Sequence, residues 1–184
     1  DVPTGYTYYV QTPANPVNPV TQWLSSIERT KDHNPVQELV DALDIENKPW
    51  SYVALYRWLI QCVAAADKAK HSGNKNALPK YESVLTFYGE QGTKKTTFIR
   101  SLLPEQLKSY LKDGVQLNLD KTDSIREVIT SWICELGELD STFKKSDISA
   151  LKAFLSRQVD EIRTPYAKAP SMLPRQTSLF ATVN

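Results

Sequence analysis

Apolar and polar positions follow two different rhythms along this chain, and the change between them falls near Tyr81. Before it the spacing is helical. Val36, Leu39, Val40 and Leu43 grow out of Asn34-Pro35-Val36-Gln37, where an Asn cap, a Pro at the first helical position and a Gln at the third mark a helix start. Leu55, Trp58, Leu59, Cys62 and Val63 make one apolar face and predict a longer helix from near Ser51 to Lys70, ended by His71-Ser72-Gly73-Asn74. Residues 1 to 22 carry Pro3, Pro13, Pro16 and Pro19 among Thr, Asn and Tyr, which disfavours helix and predicts an extended arm.

From Tyr81 strands alternate with helices. The predicted strands are Val84 to Tyr88, Val115 to Leu119, Ser131 to Leu136 and Ser178 to Val183. Between them the pattern predicts a helix from Lys95 to Leu103 stopped by Pro104, one near Glu105 to Lys112 ending at Gly114, and one near Ser124 to Thr130. A further helix is expected from Asp147 to Ile162, with Ile148, Leu151, Leu155, Val159 and Ile162 at threes and fours and Thr164-Pro165 closing it. The Pro-interrupted stretch from Thr164 to Pro174 reads as a hairpin. This alternation argues for an α/β fold, a three-layer sandwich on a mainly parallel sheet. The chain then divides into an arm over 1–33, a helical subdomain over 34–80 and an α/β core over 81–184.

Composition narrows the chemistry. With 184 residues the chain is long enough for one domain with a full core and a short extension. Lys and Arg total 22 against 21 for Asp and Glu, so the net charge of +1 offers no global field to nucleic acid or membrane. The two cysteines, Cys62 and Cys134, and the two histidines, His33 and His71, lack the spacing of a zinc site. A reducing, cytoplasmic setting is expected from them. No run approaches the ~18 apolar residues of a membrane span and no signal peptide opens the chain. The beginning at Asp1 and the stop at Asn184, just after an apolar strand, read as the ends of an excised fragment.

The candidate chemistry starts where the first strand ends. Gly89-Glu90-Gln91-Gly92-Thr93-Lys94-Lys95-Thr96-Thr97 lies between that strand and a helix. The phosphate-binding pattern G-x-x-x-x-G-K-[ST] turns backbone N–H groups toward phosphates, gives a Lys to the outer phosphates and a hydroxyl to Mg²⁺. Gly89, Lys95 and Thr96 keep its spacing, whereas Lys94 stands at the second glycine. An ordinary strand-to-helix turn is the plainer alternative. The third strand ends in Cys134-Glu135-Leu136-Gly137-Glu138, and two acids there suit a metal and an attacking water, with the division of labour between Glu135 and Glu138 left open. A solvated acidic turn is the other reading. Asn184, closing the last strand, is placed to bond a γ-phosphate or a water. Arg163, Tyr166, Lys168 and Arg175 combine basic groups with an aromatic, a composition suited to single-stranded nucleic acid and equally to a solvated loop.

The order of these segments resembles the virulence-associated protein E family. The resemblance is carried by Phe87 to Phe98, Glu135 to Ser141, Lys145-Ser146-Asp147, Leu151 to Arg157, Asp160, Arg163, Pro165-Tyr166, Pro174-Arg175-Gln176 and Thr182-Val183-Asn184, and it covers residues 34–184. It implies an AAA+-like P-loop ATPase similar to superfamily 3 helicases, from phages and mobile genetic elements and often joined to a primase. On this footing ATP and Mg²⁺ are the expected ligands, and DNA, single-stranded, the expected partner of a homo-oligomeric ring, commonly a hexamer. Lys95 and Thr96 would be the Walker A lysine and hydroxyl, Glu135 and Glu138 the Walker B acids, Asn184 the γ-phosphate sensor, and the segment around Lys168 a DNA-gripping hairpin. An arginine finger would follow the sensor strand, beyond Asn184, so the fragment alone is expected to be weakly active or inactive. A nucleotide- or DNA-binding assembly module with little turnover is the alternative, and a small-molecule phosphotransferase a third.

Overall fold

Asn18 and Pro19 open a helix where the proline pattern suggested an extended arm. In the computed structural model, which describes residues 18–28, 32–67, 81–137, 145–162 and 171–184, the Asn18 side chain accepts from the N–H groups of Val20 and Thr21 at 3.0 and 3.3 Å. Pro19 stands at the first helical position, where its missing N–H costs nothing, and α1 runs over Pro19–Ser26. The same device at Asn34 and Pro35 starts α2, Pro35–Ala42, with Asn34 accepting from the Gln37 N–H at 3.2 Å. The long helix, α3, spans Lys48–Asp67 and buries Leu55, Trp58, Cys62, Ala65 and Ala66. Two indole groups tie it to the sheet: Trp58 Nε1 donates to Leu179 O at 2.8 Å, and Trp132 Nε1 donates to Cys62 O at 2.9 Å.

The sheet contains β1 (Leu85–Tyr88), β2 (Leu111–Val115), β3 (Ile133–Leu136) and β6 (Ser178–Val183), parallel throughout and in the order β1-β6-β3-β2. Helices α4 (Lys95–Ser101), α5 (Thr122–Ile129) and α6 (Lys145–Leu155) and a 3₁₀ segment at Glu105–Tyr110 connect the strands. Period-2 alternation sends Ile133 and Phe180 to one face, where they meet α1, α2, α3 and α4, and Cys134, Leu136, Leu179 and Ala181 to the other, where they meet Val128 of α5 and Phe154 of α6. The result is the mixed α/β arrangement with a parallel sheet that the alternation predicted. β4 (Val159–Ile162) and β5 (Ser171–Pro174) form a separate antiparallel pair.

Besides α1, three elements depart from the sequence reading. The second strand begins at Leu111, not Val115, and the stretch before it is 3₁₀ rather than α-helix. Gly114, expected to end a helix, instead has φ +62 at a register shift between Lys112 and Val115, a bulge inside the strand. The helix expected over Asp147–Ile162 stops at Leu155, and Val159–Ile162 is β4. Val159 and Ile162, three apart, continue the helical spacing, whereas a strand sends them to opposite faces, so the pattern pointed to helix and only pairing with β5 makes the strand. Of the stretch expected as a hairpin, Ser171–Pro174 forms β5, paired with a segment that was expected to be helix, and its residues 164–170 lie outside the described residues.

Burial pushes the thiols of Cys62 and Cys134 from an ordinary value of 9.0 up to about 12. Because the folded chain keeps these protons longer than the unfolded one, the stability they contribute is whole below pH 9 and is lost as pH rises toward 12. Within that window each thiol costs about 1.4 kcal/mol per pH unit. The urea midpoint is therefore expected to fall above about pH 9, less steeply in Cys134→Ala than in the parent. Equal slopes would overturn this assignment.

Candidate functional site

β1 feeds directly into the loop that the sequence singled out. Gly89 prolongs the pairing with β6 by donating its N–H to Val183 O at 3.1 Å, and Thr93 Oγ1 closes the loop on Glu90 O at 2.9 Å. Lys94 precedes the first residue of α4 with φ 60 and ψ 28 and no capping side-chain bond, and its carbonyl accepts from the Phe98 N–H at 2.9 Å. The backbone here demands the left-handed conformation that a glycine adopts freely. A lysine adopts it at a cost of about 1–2 kcal/mol.

Beyond Lys94 two consecutive side chains part company. Lys95 Nζ turns back to donate to Gly89 O, to Glu90 O at 2.9 Å and to Asn184 Oδ1 at 3.2 Å. Thr96 Oγ1 points across the sheet and donates to Glu135 Oε1 at 2.7 Å. That carboxylate is only 5% exposed, and it takes two more donors: Thr182 Oγ1 on Oε1 at 2.8 Å and the Gly114 N–H on Oε2 at 3.3 Å. A buried carboxylate is tolerated where such donors converge on it. The bulge at Gly114 aims one of them, and Gly137 lets β2 approach: a Cβ there would lie 3.1 Å from the Gly114 backbone.

Strand order explains the convergence. β6 lies between β1 and β3, so Asn184 at its end stands between the loop and the acid strand. Gln91, Gly92, Thr93, Lys94, Lys95, Thr96 and Thr97, with Thr182 and Asn184, line a cleft of about 390 Å³. A second cavity, about 480 Å³, shares Gly89, Thr93, Lys94 and Lys95 with the loop but is otherwise walled largely by apolar groups, among them Val40, Ile45, Trp50 and Phe87. Among the described residues there is no group of three or more His, Cys, Asp or Glu arranged to hold a metal. The Thr96 hydroxyl and the Glu135 carboxylate nonetheless form a hard oxygen pair of the kind Mg²⁺ accepts when phosphate and water complete its shell.

The sequence candidates divide three ways. Gly89 to Thr97, Glu135 and Asn184 come together. Glu138, Arg163, Tyr166 and Lys168 lie outside the described residues. Arg175, proposed from composition to meet DNA, is instead 3% exposed: Nε and Nη2 both donate to Asp160, Nη2 at 2.6 Å, Nη2 also reaches Phe154 O at 3.2 Å, and the guanidinium lies 4.3 Å from the Phe154 ring centroid. It is a core residue here, closed to a phosphate backbone. Thr182 and the Gly114 amide were missed. Thr182 had a signal, since it stands two residues before Asn184 on a predicted strand and so shares its face.

Comparison with known proteins adds the following. A family model described as "Virulence-associated protein E-like domain" matches residues 24–184. Among solved structures, "The A form apo structure of NrS-1 C terminal region-CTR" aligns with a TM-score of 0.55 at 15% identity, over 88% of this chain and 36% of that one. A second structure with a closely similar title aligns with a TM-score of 0.46 at 14% identity, over 88% and 35%. At such identity the first likeness is one of fold, and the chain spans about a third of the length of these structures. No curated protein matches.

Two variants test the geometry. Lys94→Gly relieves the left-handed strain and gives part of it back as unfolded-chain entropy, so unfolding free energy should rise by about 0.5 kcal/mol. A lower urea midpoint would show that the turn carries no strain. Arg175→Ala strands Asp160 without its partner and should cost about 3 kcal/mol in urea unfolding. Unchanged stability with weakened, less salt-dependent binding to single-stranded DNA would return Arg175 to the DNA surface.

Proposed function

The chain belongs to the virulence-associated protein E-like family, and from that premise we propose that it is the ATP-binding and ATP-hydrolysing core of a DNA replication protein, a P-loop ATPase of AAA+-like build that drives movement along DNA. The observation that carries this reading is the split between Lys95 and Thr96. One side chain lies along the loop where phosphates would be cradled, and the next meets a buried carboxylate two strands away. Ordinary strand-to-helix turns have no need of that pair.

ATP suits the space on both sides of the loop. The polar cleft takes the phosphates, and the apolar cavity that shares Thr93, Lys94 and Lys95 with it takes the base. Lys95 would leave the loop carbonyls for the phosphates, exchanging neutral acceptors for charged ones. Thr96 and Glu135 would hold Mg²⁺, which when bound neutralises phosphate charge. Three donors hold Glu135 in a fixed orientation with acceptor capacity left over, which favours a metal-side role for it and leaves the activation of water to Glu138. Asn184, within reach of Lys95, would orient the γ-phosphate or the water. Single-stranded DNA as the track, gripped by Arg163, Tyr166 and Lys168, and a hexameric ring as the working form rest on the family resemblance.

Steady-state ATPase measurements on the protein, with and without single-stranded DNA, test the reading. Turnover should rise with DNA and fall by about 10²-fold or more in Lys95→Ala, the scale expected for loss of a charge-stabilising donor. Nucleotide binding without turnover would favour an assembly module instead. Turnover indifferent to DNA would sink the DNA motor.

A further inference from the structure

Thr182 has no task of its own in the proposed ATP site beyond being one of three donors to Glu135, yet its placement is specific. Glu135 is in register with Phe180 of β6, and Thr182 lies one same-face step further toward the carboxyl end of that strand. Its hydroxyl reaches the same oxygen, Oε1, that Thr96 bonds, at 2.8 Å against 2.7 Å. Three elements therefore fix one carboxylate: α4 through Thr96, the β2 bulge through Gly114, and β6 through Thr182.

These donors are not equivalent. Thr96 belongs to the loop and has a second task if nucleotide and metal arrive. The Gly114 N–H is the longest of the three contacts at 3.3 Å and sits on the other oxygen. We infer that Thr182 is a positioning residue for the metal site: its hydroxyl holds Oε1 of Glu135 in place so that the carboxylate stays oriented when the Thr96 hydroxyl turns to its ligand. Groups that orient a ligating carboxylate in this way typically contribute about 10- to 100-fold to metal affinity. The inference rests on the nucleotide-site reading and deepens it.

Valine is the informative replacement. It keeps the β-branched shape that suits a strand and removes only the hydroxyl, while serine keeps the hydroxyl and removes the methyl. The 184-residue chain would be titrated with Mg²⁺ at a fixed concentration of a fluorescent ATP analogue, and separately with that analogue in EDTA. Thr182→Val should raise the Mg²⁺ concentration at half-saturation about tenfold, far more than it shifts binding in EDTA, and be restored to near the parent value in Thr182→Ser. A purely structural hydroxyl would instead lower the thermal midpoint of both complexes and weaken binding with and without metal alike, and that result overturns the inference. So does an unaltered Mg²⁺ requirement in Thr182→Val while the parent binds the analogue. If valine prevents folding, Thr182→Ala is read by the same two titrations. Failure of the parent itself to bind the analogue is a different outcome, which removes the nucleotide site and the inference together.

Discussion

A carboxylate taken out of water has to be met by donors, and much of this architecture can be understood from the need to supply them to Glu135. Oxygen by oxygen, the donors come from a helix, a bulged strand and a neighbouring strand, so no single element could have met the demand. Their simultaneous arrival depends on the register of β3 against β6 and on the left-handed turn at Gly114. Slip β6 by one residue and Thr182 passes to the opposite face, taking its hydroxyl away from Oε1. The buried acid is thus as much a device for alignment as a piece of chemistry.

The helical layer serves that alignment from behind. Trp58 and Trp132 bury large aromatic surfaces and still place their indole N–H groups on backbone carbonyls, so they weld α3 to β6 and β3 without leaving a polar atom stranded. Val20 of α1 and Val40 of α2 lie in the same buried cluster as Phe180, which makes these helices continuous with the sheet. The loop at Gly89 is consequently carried on a strand whose partner is braced from one face by these helices.

Much of this was legible in residue order alone. The first and last strands, the helix after the loop and the Asn34-Pro35 cap followed from period, spacing and cap chemistry, and the meeting of Lys95, Thr96, Glu135 and Asn184 from the loop pattern taken with the family resemblance. What failed did so for identifiable reasons. Gly114 carries the signature of a helix end, but it sits in a bulge that turns its amide toward Glu135, a long-range contact that local sequence does not announce. Asn18-Pro19 is the same cap as Asn34-Pro35, but it sat within a proline-rich stretch whose composition outweighed it. Arg175 looked like a phosphate ligand because composition records charge and not burial; its partner Asp160 was itself assigned to a helix, so the pair could not be foreseen.

The buried pair also has a mechanical meaning. Arg175 holds Asp160 of β4 and, through Phe154 O, ties the base of the β4–β5 pair to α6, and its own N–H is bonded to Gln158 O at 2.9 Å. Only Gln176 and Thr177 separate it from β6, and Thr177 is itself pinned to Ser131 O at 2.6 Å. There is almost no slack between the two-stranded ribbon and the strand that ends in Thr182 and Asn184. Such a joint behaves as a lever with a short arm: a tilt of the ribbon is passed to β6 as strain, not absorbed by a loop, and a change at the end of β6 is passed back the same way.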